Sequence, residues 1–167
     1  MALDILRNSI AFVDGRKISS STSLMLPKLK LKTEKEWFGG TDGEGEFIYG
    51  LQAMEAKLKV GGLEPGILAI TALAPGVRKS FRFNGAVVGE DAANTSVRVR
   101  MTGTIADLDP GDWKHGNKSE WDHRIIVKTY RLTINDEVLH DIDPENFIRI
   151  INGVDQLAGT RASLELE

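Results

Sequence analysis

The sequence predicts a mainly β chain, an antiparallel β-barrel or sandwich with one short flanking α-helix and long loops. Three observations lead there. Several segments alternate strictly, most cleanly Met54, Ala56, Leu58 and Val60 against Glu55, Lys57 and Lys59, the period of a strand with one buried face. Two hairpin dipeptides, Asp14-Gly15 and Asn135-Asp136, sit between alternating runs and supply residues that tolerate the positive φ of a tight two-residue turn. Only Leu63 to Ala74 carries a helical period over more than two turns.

The 167 residues fit one domain, 1–167. A chain of this length buries roughly 70% of its unfolded surface. With 41% hydrophobic and 27% charged residues the composition is that of a folded globular protein, which disfavours disordered, collagenous and membrane classes. Cysteine is absent, which rules out disulfides and thiolate metal sites and fits a reducing compartment. Asp4, Arg7 and Asp14 interrupt any apolar run at the N-terminus, which therefore reads as neither a secretory signal nor a membrane span. A net charge of −3 gives no general attraction to nucleic acid or anionic lipid.

In chain order, Ser9 to Val13 and Lys17 to Ser23 form the first expected hairpin. From Leu24 to Lys32 the alternation slips by one residue at Pro27, an expected bulge or edge position, and the lysines at 28, 30, 32 and 35 read as a solvated strand face. Thr33 to Gly50 is rich in glycine and acid and reads as a long flexible loop, with Trp37, Phe38, Phe47 and Tyr49 at its two ends. These aromatics suit either an arm docking on another surface or a fold back onto the body.

Gln52 to Val60 follows as a strand, and Leu63 to Ala74 as a helix with Pro65 in its first turn and Pro75-Gly76 ending it. Val77 to Val88 and Thr95 to Ala106 alternate again, with the turn placed at Gly89 to Asn94 rather than at Asn84-Gly85. Both strands then carry arginines on one face, Arg78 and Arg82 on the first, Arg98 and Arg100 on the second.

Asp107 to Glu120 is the second long loop and carries Trp113. Trp121 to Ile134 is a long strand returning through Asn135-Asp136 to Val138, His140 and Ile142. Uniform alternation puts Ile126, Tyr130, Leu132 and Ile134 on one face of the long strand and Ile125, Val127, Thr129, Arg131 and Thr133 on the other. Phe147 to Ile151 is a short apolar segment compatible with strand or helix, and Asp155 to Leu164 suits a short helix interrupted by Gly159.

No catalytic constellation emerges. His115, Asp122 and His123, with Asp109 and Asp112 nearby, are metal-ligand types without the helical i,i+4 spacing that makes such a signal specific. Nucleophile elbows, phosphate-cradling loops and dinucleotide fingerprints are missing from the sequence, so catalytic, cofactor and metal residues are all expected to be none. Long alternating strands with few devices blunting their edges instead point to edges paired between identical subunits.

An ordered series of motifs over most of the chain resembles the major tail tube proteins of contractile-tailed bacteriophages and R-type bacteriocins. The motifs are LPKLKLKTE, GLQAMEAKLKVGG, RFNG, VRMTG, TYRLTINDEVLHDID and INGVDQLAGTRASL. The resemblance implies six subunits per ring, rings stacked into a hollow tube and DNA passing through after sheath contraction. It also implies contacts with sheath, baseplate hub, tape measure and tail terminator proteins, and residence in the virion after assembly in the host cytoplasm. No cofactor or membrane insertion is implied.

By position Glu36 to Phe47 resembles the arm that reaches the next ring and Asp107 to Glu120 another ring-contacting loop. The expected oligomer interface then comprises Trp37, Phe38 and Phe47; the face of Ile125, Val127 and Thr129; and the turn of Asn152, Gly153, Val154 and Asp155. Because phosphate contacts add affinity that would hold DNA in place, the lumen is expected to be neutral or acidic rather than lined by the Arg98 and Arg100 face. Two other readings are the tube of a type VI secretion-like or extracellular injection particle and a nucleic-acid-binding barrel. A hydrolase at His115 and His123 is the poorest fit.

Overall fold

The computed structural model of the chain describes residues 4–71 and 73–166. Met1, Ala2, Leu3, Glu167 and Ala72, the last inside the expected helix, lie outside that set. The elements run β1 (Ile5–Val13), β2 (Arg16–Ile18), β3 (Ser21–Met25), β4 (Leu31–Trp37), β5 (Glu44–Leu51), β6 (Met54–Gly61), α1 (Pro65–Ile70), β7 (Lys79–Val88), β8 (Asn94–Asp109), β9 (Glu120–Ile134), β10 (Glu137–Asp143), β11 (Ile148–Ile151), β12 (Val154–Asp155) and α2 (Ala158–Ser163).

Ten strands form one antiparallel sheet ordered β12-β11-β10-β9-β8-β7-β1-β2, with β6 joined to the N-terminal half of β9 and β3 to β6. Strands β4 and β5 form a separate two-stranded sheet. The turns follow the sequence chemistry: Asp14 and Gly15 have φ of 48° and 79°, and Asn135 and Asp136 of 47° and 65°, as a two-residue turn matched to strand twist requires.

Core residues come from both halves of the sheet. Ala56, Leu58 and Val60 of β6 and Ile125 and Val127 of β9 join Ala11 and Val13 of β1, Phe81 of β7, and Val99, Met101 and Ile105 of β8 in one cluster. Each fully buried aliphatic side chain contributes about 1.5–3 kcal/mol. Ile67 plugs this cluster from α1, where Pro65 occupies a position whose N–H would be unbonded in any case. That helix is shorter than its apolar period: the Thr71 hydroxyl and N–H both donate to the Ile67 carbonyl oxygen and the chain then extends. It is anchored by the Ser20 hydroxyl donating to Glu64 at 3.0 Å.

Two expectations about strand phase are corrected here. Pro27 is a buried residue in the connection after β3, not a bulge within a continuing strand. On β9 the alternation is not uniform: Thr129 pairs with Thr102 and Val127 with Gly103, leaving Lys128 as an extra, bulged residue. Residues on either side of Lys128 therefore change faces. Ile125 and Val127 point into the core at 0% and 4% exposure, and so does Tyr130 beyond the bulge. Gly103 makes the bulge possible, since a Cβ there would lie 2.2 Å from the Ile126 carbonyl oxygen.

Candidate functional site: an exposed arm, an open edge and a clasp

The segment Thr33 to Gly50, expected as a flexible loop, is instead most of the β4–β5 hairpin. Its ladder runs from Leu31 opposite Leu51 to Trp37 opposite Glu44. The residue types are strand formers, Thr33, Trp37, Phe47, Ile48 and Tyr49, but neither face is buried, so no apolar alternation marks them. The Phe38 and Phe47 rings meet edge to face at 4.8 Å, and a Cβ on Gly45 would come within 2.9 Å of the Phe38 ring. Trp37, Ile48 and Tyr49 stay 68%, 64% and 59% exposed. At its base the arm borders a groove of about 370 Å³ shared with Ile142, Phe147, Ile148 and Leu157.

A second unpaired surface lies on β1. This strand pairs with β7 along its length but with β2 only from Ala11 to Val13, so Ile5 to Ile10 have an open edge among the described residues. Ile5, Leu6 and Ile10 are exposed on it. The strand expected over Ser9 to Val13 includes Ile10 but begins too late to include Ile5 and Leu6.

The third feature closes the chain. Asn152 and Gly153 form the tight turn between β11 and β12 with φ of 49° and 78°, and Val154 beside them is exposed. Asp155 faces inward to an internal partner: both its oxygens accept from the Arg161 guanidinium, and Arg161 also donates to the Phe147 carbonyl oxygen at 2.7 Å. Arg161 holds the Asp155 carboxyl below its ordinary range, and Asp155 raises Arg161 in return.

The ten expected interface residues thus divide. Trp37, Phe38, Phe47, Asn152, Gly153 and Val154 are exposed, Thr129 is half-buried on the polar face of the sheet with its hydroxyl 2.7 Å from that of Thr102, and Asp155 is engaged in the clasp. Ile125 and Val127 are withdrawn from the exposed surface by the bulge at Lys128, and an assembly face built on them is corrected.

The histidines do not meet. His123 is fully buried opposite Leu58, its Nδ1 3.3 Å from the Leu58 carbonyl oxygen, and burial pushes its pKa below the ordinary value. His115 lies on the exposed 110–119 connection. Among the described residues no group of three or more His, Asp or Glu side chains is placed to hold a metal ion.

An arm exposed on both faces and an apolar open strand edge on a β body are surfaces suited to contact between proteins, the equipment of a structural building block. The family described as phage tail tube protein FII matches residues 4–164, and the chain belongs to that family. It is 31% identical over 148 residues to the tail tube protein of Escherichia phage P2, covering 86% of each chain. It is 33% identical over 146 residues to the major tail tube protein of Serratia phage KSP20, covering 86% of this chain and 84% of that one. Among solved structures its fold is similar to a chain of the sheath-tube complex of the extracellular contractile injection system PVC in its extended state. That match has a TM-score of 0.55 at 11% identity and covers 75% of this chain and 87% of the other. The protein is a structural tail tube protein, and its fold is mainly β and antiparallel.

Proposed function

We propose that six copies of this chain, each a single tail tube domain, close into a ring and that rings stack into the hollow inner tube of a contractile tail. DNA passes through that tube after the sheath contracts. Family membership over residues 4–164 is the observation that carries the reading. Its physical counterpart is the apolar open edge of β1, which an identical neighbour meeting it head to tail would satisfy with ladder hydrogen bonds, and closure of the ring would remove the exposed edge.

In this reading the exposed part of the interface is Trp37, Phe38 and Phe47 on the arm and Asn152, Gly153 and Val154 at the closing turn. The outer surface meets the sheath and the ends meet baseplate hub and terminator, with tape measure protein and then DNA inside. Subunits are made in the host cytoplasm and end in the virion. The role is mechanical, with no bond made or broken.

Sedimentation velocity over a protein concentration series, paired with negative-stain microscopy, tests it. Growth of hollow rings or tubes supports the proposal. A strictly monomeric species at every concentration, even with baseplate supplied, rejects it.

A further inference from the structure

The polar face of the main sheet holds an arrangement that packing within one subunit does not explain. Arg82 of β7 lies directly opposite Arg100 of β8, and Arg100 directly opposite Arg131 of β9, so three arginines stand in one row across three neighbouring strands. Directly opposed side chains on antiparallel strands have Cβ atoms only about 5 Å apart, and like charges at that separation repel. The ends of the row are relieved within the subunit. Arg82 lies 4.2 Å over the Phe12 ring, and Arg131 donates to Asp141 at 2.8 Å.

Arg100, in the middle, is exposed and makes no ion pair or side-chain hydrogen bond among the described residues. It borders a cavity of about 360 Å³ whose lining includes Ser80, Thr102 and Thr129. Two carboxylates also line the cavity, but Asp141 is taken by Arg131 and Asp143 accepts from the N–H and side-chain amide of Asn146. A guanidinium without a partner in its own subunit, beside Ser80 and the mutually bonded Thr102 and Thr129 hydroxyls, can receive a carboxylate brought from outside.

The chain itself carries the complementary surface. Between Leu31 and Leu51 the arm holds two lysines against five carboxylates, Glu34, Glu36, Asp42, Glu44 and Glu46. Glu34, Glu36 and Glu46 have partners within the arm, whereas Asp42 and Glu44 near its tip have none among the described residues. The seven residues of β4 span roughly 23 Å at about 3.3 Å per residue, which sets the length of the arm.

Resting on the tube reading, we propose that Arg100 and its arginine row receive the arm-tip carboxylates, Glu44 first, of a second copy of this chain. Charge complementarity, not only apolar contact, then fixes where each arm docks. The row faces a protein partner rather than DNA.

The test is a charge exchange in the full-length protein. Arg100→Glu and Glu44→Lys each raise the concentration needed for tube formation by roughly tenfold, about 1.4 kcal/mol, while Arg100→Glu/Glu44→Lys in one chain returns it to within roughly threefold of the parent. Because Arg100 is exposed and removing its charge relieves the row, the Arg100→Glu subunit keeps its fold and its thermal midpoint does not fall, checked by circular dichroism. Tubes that form equally well from Arg100→Glu, or a double variant no better than the sum of the singles, overturn the proposal while leaving the tube reading intact. Binding of labelled duplex DNA by parent tubes at physiological salt that vanishes in Arg100→Glu also overturns it. Failure of the parent to assemble removes the tube reading and this one with it.

Discussion

Replacing Gly103 by alanine should destabilise the subunit by far more than one methyl group ordinarily does. An ideal Cβ at this position falls 2.2 Å from the Ile126 carbonyl oxygen, 3.0 Å from its carbon and 3.1 Å from the Ile125 methyl. Two of the three obstacles are backbone, so no rotamer change relieves them, and β8 must move away from β9 by about 1 Å to restore ordinary contact. Loosening the two nearest ladder bonds costs about 1 kcal/mol each, and overpacking adds about 1–3 kcal/mol. The alanine recovers about 0.4–1 kcal/mol through the unfolded chain.

The net loss is then about 2–4.6 kcal/mol, a large share of the roughly 5–15 kcal/mol that holds a typical domain together. Urea unfolding followed by tryptophan fluorescence reads it as a fall in midpoint of about 1–2 M for a slope near 2 kcal/mol/M. Gly159→Ala is the control: nothing lies within 4 Å of its Cβ in α2, and helix propensity makes it neutral to stabilising. A loss below about 1 kcal/mol for Gly103→Ala would refute the assignment of the bulge at Lys128.

Other predictions follow from the same packing. Val127→Asp places an unpaired carboxylate in the core, costing on the order of 4 kcal/mol or more, and should yield an unfolded or aggregated subunit by circular dichroism rather than a folded one unable to assemble. His123 has its pKa lowered by burial, so above its ordinary value of about 6.5 it is neutral whether folded or unfolded. As pH falls below that value the unfolded chain takes up the proton first, and stability should decline by up to about 1.4 kcal/mol per pH unit until the folded pKa is reached. Urea midpoints at pH 7.5 and 5.5, with His123→Gln flattening the difference, check this. Arg161→Ala opens the clasp at Asp155 and should speed proteolytic cleavage near α2 while leaving the β6–β9 core protected from hydrogen exchange.

The parts of the fold legible in the sequence are those where local chemistry and burial agree. Asn135-Asp136 marks its hairpin because few residues adopt φ of 47° and 65° without strain, and β6 reads as a strand because one of its faces is buried along its length. The β4–β5 arm escaped because a hairpin exposed on both faces leaves no period to detect. The phase of β9 escaped for a different reason: a one-residue bulge at Lys128 depends on a glycine on the neighbouring strand, and periodicity within a single strand carries no record of it.

For the candidate site, Trp37, Phe38 and Phe47 were found as large apolar residues in a polar stretch and are exposed. Ile125 and Val127 were misplaced by the bulge. The exposed Ile5 and Leu6 on β1 and the register that aligns Arg82, Arg100 and Arg131 follow from strand pairing, which only the three-dimensional structure gives.

A helical reconstruction of assembled particles by electron cryomicroscopy tests the central claim most directly. The account predicts sixfold rings stacked around an open channel, with the Ile5 to Ile10 edge and the β4–β5 arm both buried against neighbouring copies. Particles without a channel, or a tube in which the edge and the arm both remain in solvent, would contradict it.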